Sequence, residues 1–185
     1  MVDPIEIIRK FYEPGTELWN ILMVHSESVA KLAVDIVRQH PELKADERFV
    51  YESAMLHDIG IIKTDAPSIY CFGTTDYICH GTQGSEMLKA LGLERHALVC
   101  ERHTGAGITE DEVIELGLPI PHRDYTPQSI EEQIVCYADK FFSKSKKLDE
   151  QKSLEKAIKS VAKYGDAPRE RFMKMHEKLC IDTIK

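Results

Sequence analysis

Phe49-Val50-Tyr51-Glu52-Ser53-Ala54-Met55-Leu56-His57-Asp58 reads as a helix that ends on a histidine beside an aspartate, with Ile59-Gly60 closing it. Two side chains that bind metal through different atoms stand together at the end of an apolar run. A buried carboxylate without a partner costs several kcal/mol, comparable with the hydrophobic gain of a whole side chain. A metal ion makes such a pair tolerable. Residues of the same chemistry lie on either side: His25 upstream, and His80, His103 and Asp139 downstream.

Helical periodicity extends in both directions from this stretch. Asp3-Pro4 reads as an N-cap followed by proline at the first helical position, opening a short helix to about Tyr12 that Pro14-Gly15 breaks. Thr16 caps a second helix running to about His40, with Leu18, Ile21, Leu22, Val29, Leu32, Ala33, Ile36 and Val37 on one stripe and His25 within it. Asp46 caps the helix that ends at His57-Asp58. A loop over residues 60–79 follows, long enough to be functional or mobile. Further helices are expected over residues 80–91, with Gly92 after the last turn, and over 94–103. Capping boxes at Thr109/Glu112 and Ser129/Glu132 open two more, over 109–116 and 130–143. A charged helical hairpin, about 149–164 and 168–184, completes the chain. No segment alternates with period two, so the expected class is all-α: one domain over residues 1–185, with a core at about 16–145 and a C-terminal helical extension from about 146.

The 185 residues suffice for one domain with a substantial core, and 43% of them are hydrophobic, as in ordinary globular chains. A formal net charge of -7 argues against tracking a nucleic-acid backbone. It leaves small anionic substrates open, because a bound cation inverts the local field. Met1-Val2-Asp3-Pro4 opens with an acid and no apolar signal-peptide core follows. No apolar run approaches the roughly 20 residues that span a bilayer. Cys71, Cys79, Cys100, Cys136 and Cys180 are odd in number and form no CxxC. Reduced thiols in a cytoplasmic protein are expected, with Cys100 and Cys136 as core filler.

The constellation carries the chemistry. A single histidine on an apolar stripe is more often a hydrogen-bonded core residue, and Asp139 alone could be an ion-pair partner. Here His25, His57-Asp58, His80, His103 and Asp139 each fall on a different expected helix or at its end, mostly at inward positions. Bundle-core metal sites are built in this way. His40, His96, His122 and His176 read as solvent-side residues.

The order His25, His57-Asp58, Asp139 resembles the HD superfamily of metal-dependent phosphohydrolases, and His57-Asp58-Ile59-Gly60 matches the string of its HDIG subset. The similarity covers roughly residues 20–145. Its fold is a helical bundle. His80 and His103 match the two extra histidines of its dinuclear branch. His80-Gly81-Thr82-Gln83-Gly84-Ser85 and His103-Thr104-Gly105 resemble stretches of symmetrical dinucleoside-tetraphosphate hydrolases, and Tyr137-Ala138-Asp139-Lys140 resembles the closing motif. Two departures stand out. Ile61 follows the glycine where the cyclic-dinucleotide branch often has lysine, and no GYP signature follows, which disfavours a cyclic-di-GMP phosphodiesterase.

The resemblance implies six metal ligands, His25, His57, Asp58, His80, His103 and Asp139, holding two divalent transition-metal ions. Mixed imidazole and carboxylate donors suit Fe, Mn, Co, Ni or Zn better than Mg alone. Asp58 is the expected bridging and catalytic carboxylate. Lys63 and Thr104 are candidate contacts to a phosphorylated substrate, although a solvated loop lysine and a helix terminator are the plainer readings. Three functions follow: hydrolysis of a small phosphoester, a nucleotide first; a diiron oxygenase on the same ligands; or a metal-bound binding module without turnover, which a complete ligand set weakens. The expected partner is a small phosphorylated substrate, with no nucleic acid and no membrane; a homo-oligomer is open.

Overall fold

The structure is a computed structural model, and it describes residues 2–145 and 147–184. Nine α-helices are found among the described residues: Pro4–Ile8 (α1), Glu17–Gln39 (α2), Glu47–Leu56 (α3), His80–Lys89 (α4), Glu94–Arg102 (α5), Glu110–Glu115 (α6), Ile130–Asp139 (α7), Leu154–Ala162 (α8) and Asp166–Leu179 (α9). The chain is mostly helical, as its periodicity requires. The expected caps form. Asp3 accepts from the backbone of Ile5 and Glu6, Thr16 from Trp19 and Asp46 from Phe49, which satisfies first-turn N–H groups.

The long helix α2 is the spine. Leu22, Val29, Ala33 and Ile36 are buried along one face, against α3 and α7. The pair α4 and α5 closes on the turn that follows α3. Helix α9 packs on α7, where the Phe172 and Tyr137 rings stack with centroids 5.3 Å apart. Among the described residues no helix is long and apolar enough to cross a membrane.

Several expectations need correction. The 60–79 loop is not featureless: a 3-10 turn at Ile59–Lys63 is followed by two short antiparallel strands, Asp65–Ala66 (β1) and Cys71–Phe72 (β2). Two-residue strands carry no periodicity to read. Helix α7 stops at Asp139 rather than continuing to 143: the N–H groups of Lys140, Phe141 and Phe142 bond to the carbonyls three residues back, on Tyr137, Ala138 and Asp139, which tightens the end into 3-10 geometry. Ser129 caps α7, but the second half of its box is missing. The Glu132 carboxylate instead accepts from Arg102 and from the Gln128 N–H. His96 is buried, its Nε2 3.1 Å from Glu52, and His176 is half-buried against the Tyr137 hydroxyl at 2.8 Å. The junction expected near 146 includes Lys146, which lies outside the described residues.

The turn after His57-Asp58 is held from two sides. The Tyr12 hydroxyl donates to the Ile59 carbonyl at 2.6 Å and accepts from the Ile62 N–H at 3.1 Å. On the other side Gly60 lies directly on the start of α4. A Cβ there would collide with the His80 carbonyl oxygen and the Gly84 nitrogen, both backbone atoms that cannot swing away. The glycine of the His57-Asp58-Ile59-Gly60 string is thus a requirement for close approach, bringing His80 up to Asp58. Gly60→Ala is expected to destabilise the protein by about 3 kcal/mol, read as a lower urea midpoint. A wild-type midpoint would show that α4 is not seated against this turn.

Candidate metal centre

Five helices deliver the six ligand-type residues. His25 comes from the middle of α2, and His57 stands at the C-terminal end of α3 with Asp58 after it. His80 opens α4, His103 ends α5 and Asp139 is the last residue of α7. All six are buried. They form two groups: His25, His57, Asp58 and Asp139 in one, and Asp58, His80 and His103 in the other. Within each group the donor atoms lie within 4.8 Å of one another.

Asp58 joins the groups by turning one oxygen to each. Its Oδ2 is 3.2 Å from His25 Nε2 and 3.1 Å from His57 Nε2. Its Oδ1 is 3.3 Å from His103 Nε2 and 3.6 Å from His80 Nε2. On the other side of the first group Asp139 Oδ1 is 3.0 Å from His25 Nε2.

The donor set fits a pair of cations. His57, His80 and His103 each donate Nδ1–H at 2.6 Å to the carbonyl three residues back, on Ala54, Tyr77 and Cys100 respectively. That bond occupies Nδ1 and turns each Nε2 inward, where it can offer its lone pair to a cation. The Nε2 atoms of His80 and His103 are only 3.1 Å apart. Two lone pairs at that separation repel unless a cation lies between them and Asp58. The Asp58 carboxylate is fully buried, and neither of its oxygens accepts a well-directed hydrogen bond. The Lys144 ammonium lies 2.8 Å from Oδ2, as an ion pair. Such a carboxylate is tolerable only beside positive charge.

The proton affinities follow the same geometry. Burial alone would push the Asp58 carboxyl up, but the charges of His57 and Lys144 hold it well below the usual carboxylate range. Asp139 is likewise held low against burial, chiefly by Lys140 and Lys144. Burial lowers His80 to about 3, with His103 adding to the effect, and burial also lowers His103. His57 goes the other way: burial opposes its charge, but Asp58 and Asp139 prevail and raise it to about 9.

A cleft of about 530 Å³ opens on the second group. Lys140, Lys144 and Lys152 line it beside His80, His103 and Asp139. Lys140 Nζ is 2.6 Å from Asp139 Oδ2. Tyr77 lines it too, stacked on the His80 ring with centroids 4.6 Å apart. Thr104 lines this cleft. Lys63 does not. It is exposed at the end of the 3-10 turn, outside the cleft, and its carbonyl is tied to the Thr74 and Thr75 N–H groups. Nearness to His57-Asp58 along the chain does not become nearness in space, because the turn carries the lysine away. Of the lysines that do reach the site, Lys140 belongs to the Tyr137-Ala138-Asp139-Lys140 string, while Lys144 and Lys152 stand in no motif.

The model of the HD domain matches residues 22–143, the span that contains all six converging residues. The chain belongs to the HD domain family. Relatives include an uncharacterized protein of Methanocaldococcus jannaschii, 38% identical over 139 residues, a match covering 75% of this chain and 73% of that protein. Two proteins named tRNA (cytidine(56)-2'-O)-methyltransferase also match. The one from Picrophilus torridus is 35% identical over 161 residues, and the one from Thermoplasma volcanium 34% over 158. Those matches cover 86% and 84% of this chain but only 42% and 41% of the methyltransferases. No solved structure matches. The HD match ends one residue before Lys144, so that lysine, Lys152 and the α8–α9 hairpin lie beyond it.

Metal and proton compete for the same Nε2 of His57. Below about pH 9 an ion entering the first group must displace a proton from His57, whereas His80, lowered to about 3, carries none at neutral pH. Loading should therefore approach two ions per chain by elemental analysis. Calorimetric titration between roughly pH 6 and 8 should show one class of ion tightening about tenfold per pH unit with proton release, and a second class nearly independent of pH. A firm stoichiometry of one would overturn the paired reading.

Proposed function

We propose that this HD domain is a metal-dependent phosphohydrolase acting on a small phosphoester, a nucleotide in the first instance, and using Fe, Mn, Co, Ni or Zn. The observation that carries the reading is the lysine-lined cleft opening directly on the Asp58-linked histidine groups. Anion receptors sit where a phosphoryl group would meet two cations.

When bound, the ions supply Lewis-acid polarisation of a phosphoryl oxygen and a water acidified for attack. The chain's own residues do the rest. Asp58, with one oxygen turned to each histidine group, would hold both ions, and that is its catalytic role here. The Nδ1–H bonds of His57, His80 and His103 hold the rings in place, so no reorientation is needed as charge develops. Lys144, already against Asp58, and Lys140, against Asp139, receive the negative charge of the phosphoryl oxygens. Thr104 borders the same space. In the net reaction water oxygen bonds to phosphorus, the ester P–O bond breaks, and the leaving oxygen ends protonated.

The lysines also favour hydrolysis over the diiron oxygenase, whose substrate need not be an anion. The methyltransferase activity in the names of two relatives is not proposed for this chain, which spans about two fifths of their length.

The test is phosphate release from a panel of nucleotides and simple phosphoesters, with Mn, Co, Ni, Fe, Zn and Mg supplied in turn. Release stimulated by a transition metal beyond Mg is expected. Oxygen uptake by the iron form with no phosphate release under any metal would overturn the reading. Asp58→Ala should lower kcat by at least about a thousandfold, and Lys144→Ala should lower kcat/KM by about a hundredfold. Lys63→Ala should stay within about twofold of wild type, since nothing in the site depends on that side chain.

A further inference from the structure

The lining of the cleft has two chemical characters. Lys140, Lys144 and Lys152 border it with the histidines, and Ile108, Leu116, Leu118, Val161, Tyr164 and Pro168 give it a large apolar share. Three of those six, Val161, Tyr164 and Pro168, belong to the hairpin α8–α9 or the turn between its helices, outside the residues that match the HD domain. Leu116 follows the last turn of α6, and Leu118 packs on a small separate core of Cys79, Val113, Ile120 and Tyr125.

Two features point to a place for a ligand's apolar part. First, Leu116 and Tyr164 are 64% and 73% exposed although both are large and apolar, and both border the cleft from different elements. Large exposed apolar groups that border one concave site mark a binding site. Second, charged and hydroxyl groups beside these residues are already engaged. Arg171 donates to the carbonyls of Ala106 and Gly107 at 3.2 and 2.9 Å and pairs with Glu112 at 2.7 Å. The Ser160 hydroxyl donates to the Ala157 carbonyl at 2.7 Å.

We infer that the C-terminal hairpin is the specificity wall of the cleft, and that the cleft selects a ligand with an anionic phosphoryl head and a flat apolar tail, held by shape between Tyr164 and Leu116 rather than by hydrogen bonds. The inference rests on the phosphohydrolase reading only for the direction in which the ligand lies. A nucleotide would enter with its base unread, and a polar tail of similar size would gain nothing.

The experiment measures binding, not turnover. Phosphonates keep the anionic head but have no ester bond to cleave. Calorimetry on the manganese-loaded full chain should show phenylphosphonate binding about tenfold tighter than methylphosphonate. 2-Hydroxyethylphosphonate should bind no tighter than methylphosphonate. In Tyr164→Ser and in Leu116→Ser the phenyl-to-methyl ratio should fall below about threefold, and in Tyr164→Phe it should persist. Both side chains are exposed, so folding is not at stake, and circular dichroism checks it. Equal binding of phenyl and methyl phosphonates by wild type, or an unchanged ratio in both serine variants, overturns the inference. A preserved ratio with no phosphoester hydrolysis under any metal would sink the phosphohydrolase reading and leave the specificity wall standing. Hydrolysis with a ratio of one would do the reverse.

Discussion

The Asp58 carboxylate is the constraint on which the rest of the site depends. It is wholly buried, takes no well-directed hydrogen bond, and has imidazole nitrogens on both sides. A charge in that position is tolerable only if opposite charge is brought to it, and the surrounding helices do this. Gly60 lets α4 close on the turn that carries Asp58, which sets His80 opposite its Oδ1. Helix α2 passes close enough for His25 to face Oδ2, and α7 ends where Asp139 faces His25.

One local device recurs at three of the four histidines. His57 and His103 stand at helix C-termini, where carbonyls lack intrahelical partners, and His80 follows a 3-10 turn whose Tyr77 carbonyl also accepts the His80 backbone N–H. Each ring uses such a carbonyl to fix its Nδ1–H, so the helix end that presents the ring also orients it. His25 is the exception. It lies within α2, where carbonyls are occupied, and its buried Nδ1 has no partner. Its orientation comes from the stiffness of α2 and from its contacts with Asp58 and Asp139.

The lysines and the C-terminal hairpin turn a metal-binding cluster into a cleft with direction. The cluster lies within residues 22–143, the part that matches the HD domain. The groups that would distinguish one phosphoester from another lie mainly elsewhere. Lys144 and Lys152 come after that span, and Val161 and Tyr164 come from the hairpin that α9 fastens to α7 and, through Arg171, to the segment around Gly107. On the proposed reading, chemistry and selectivity are carried by different parts of one chain.

What the amino-acid sequence determined by itself was everything governed by short-range rules. Caps at Asp3, Thr16, Asp46 and Thr109 depend on side chains two or three residues from the N–H groups they satisfy. The stripe of α2 follows from helical pitch. The joint pattern of His25, His57-Asp58, His80, His103 and Asp139 identified the family and the six residues that the fold brings together. Only the tertiary structure decided which lysines line the cleft. Lys63 is five residues from Asp58 in sequence but outside the cleft, whereas Lys144 reaches Asp58 from 86 positions away, at 2.8 Å. Between Asp139 and Lys144 the helix gives way to 3-10 bonds, and the carbonyls of Phe141 and Phe142 are taken by Lys152. A path set by hydrogen bonds between segments ten or more residues apart leaves no periodic trace in the sequence.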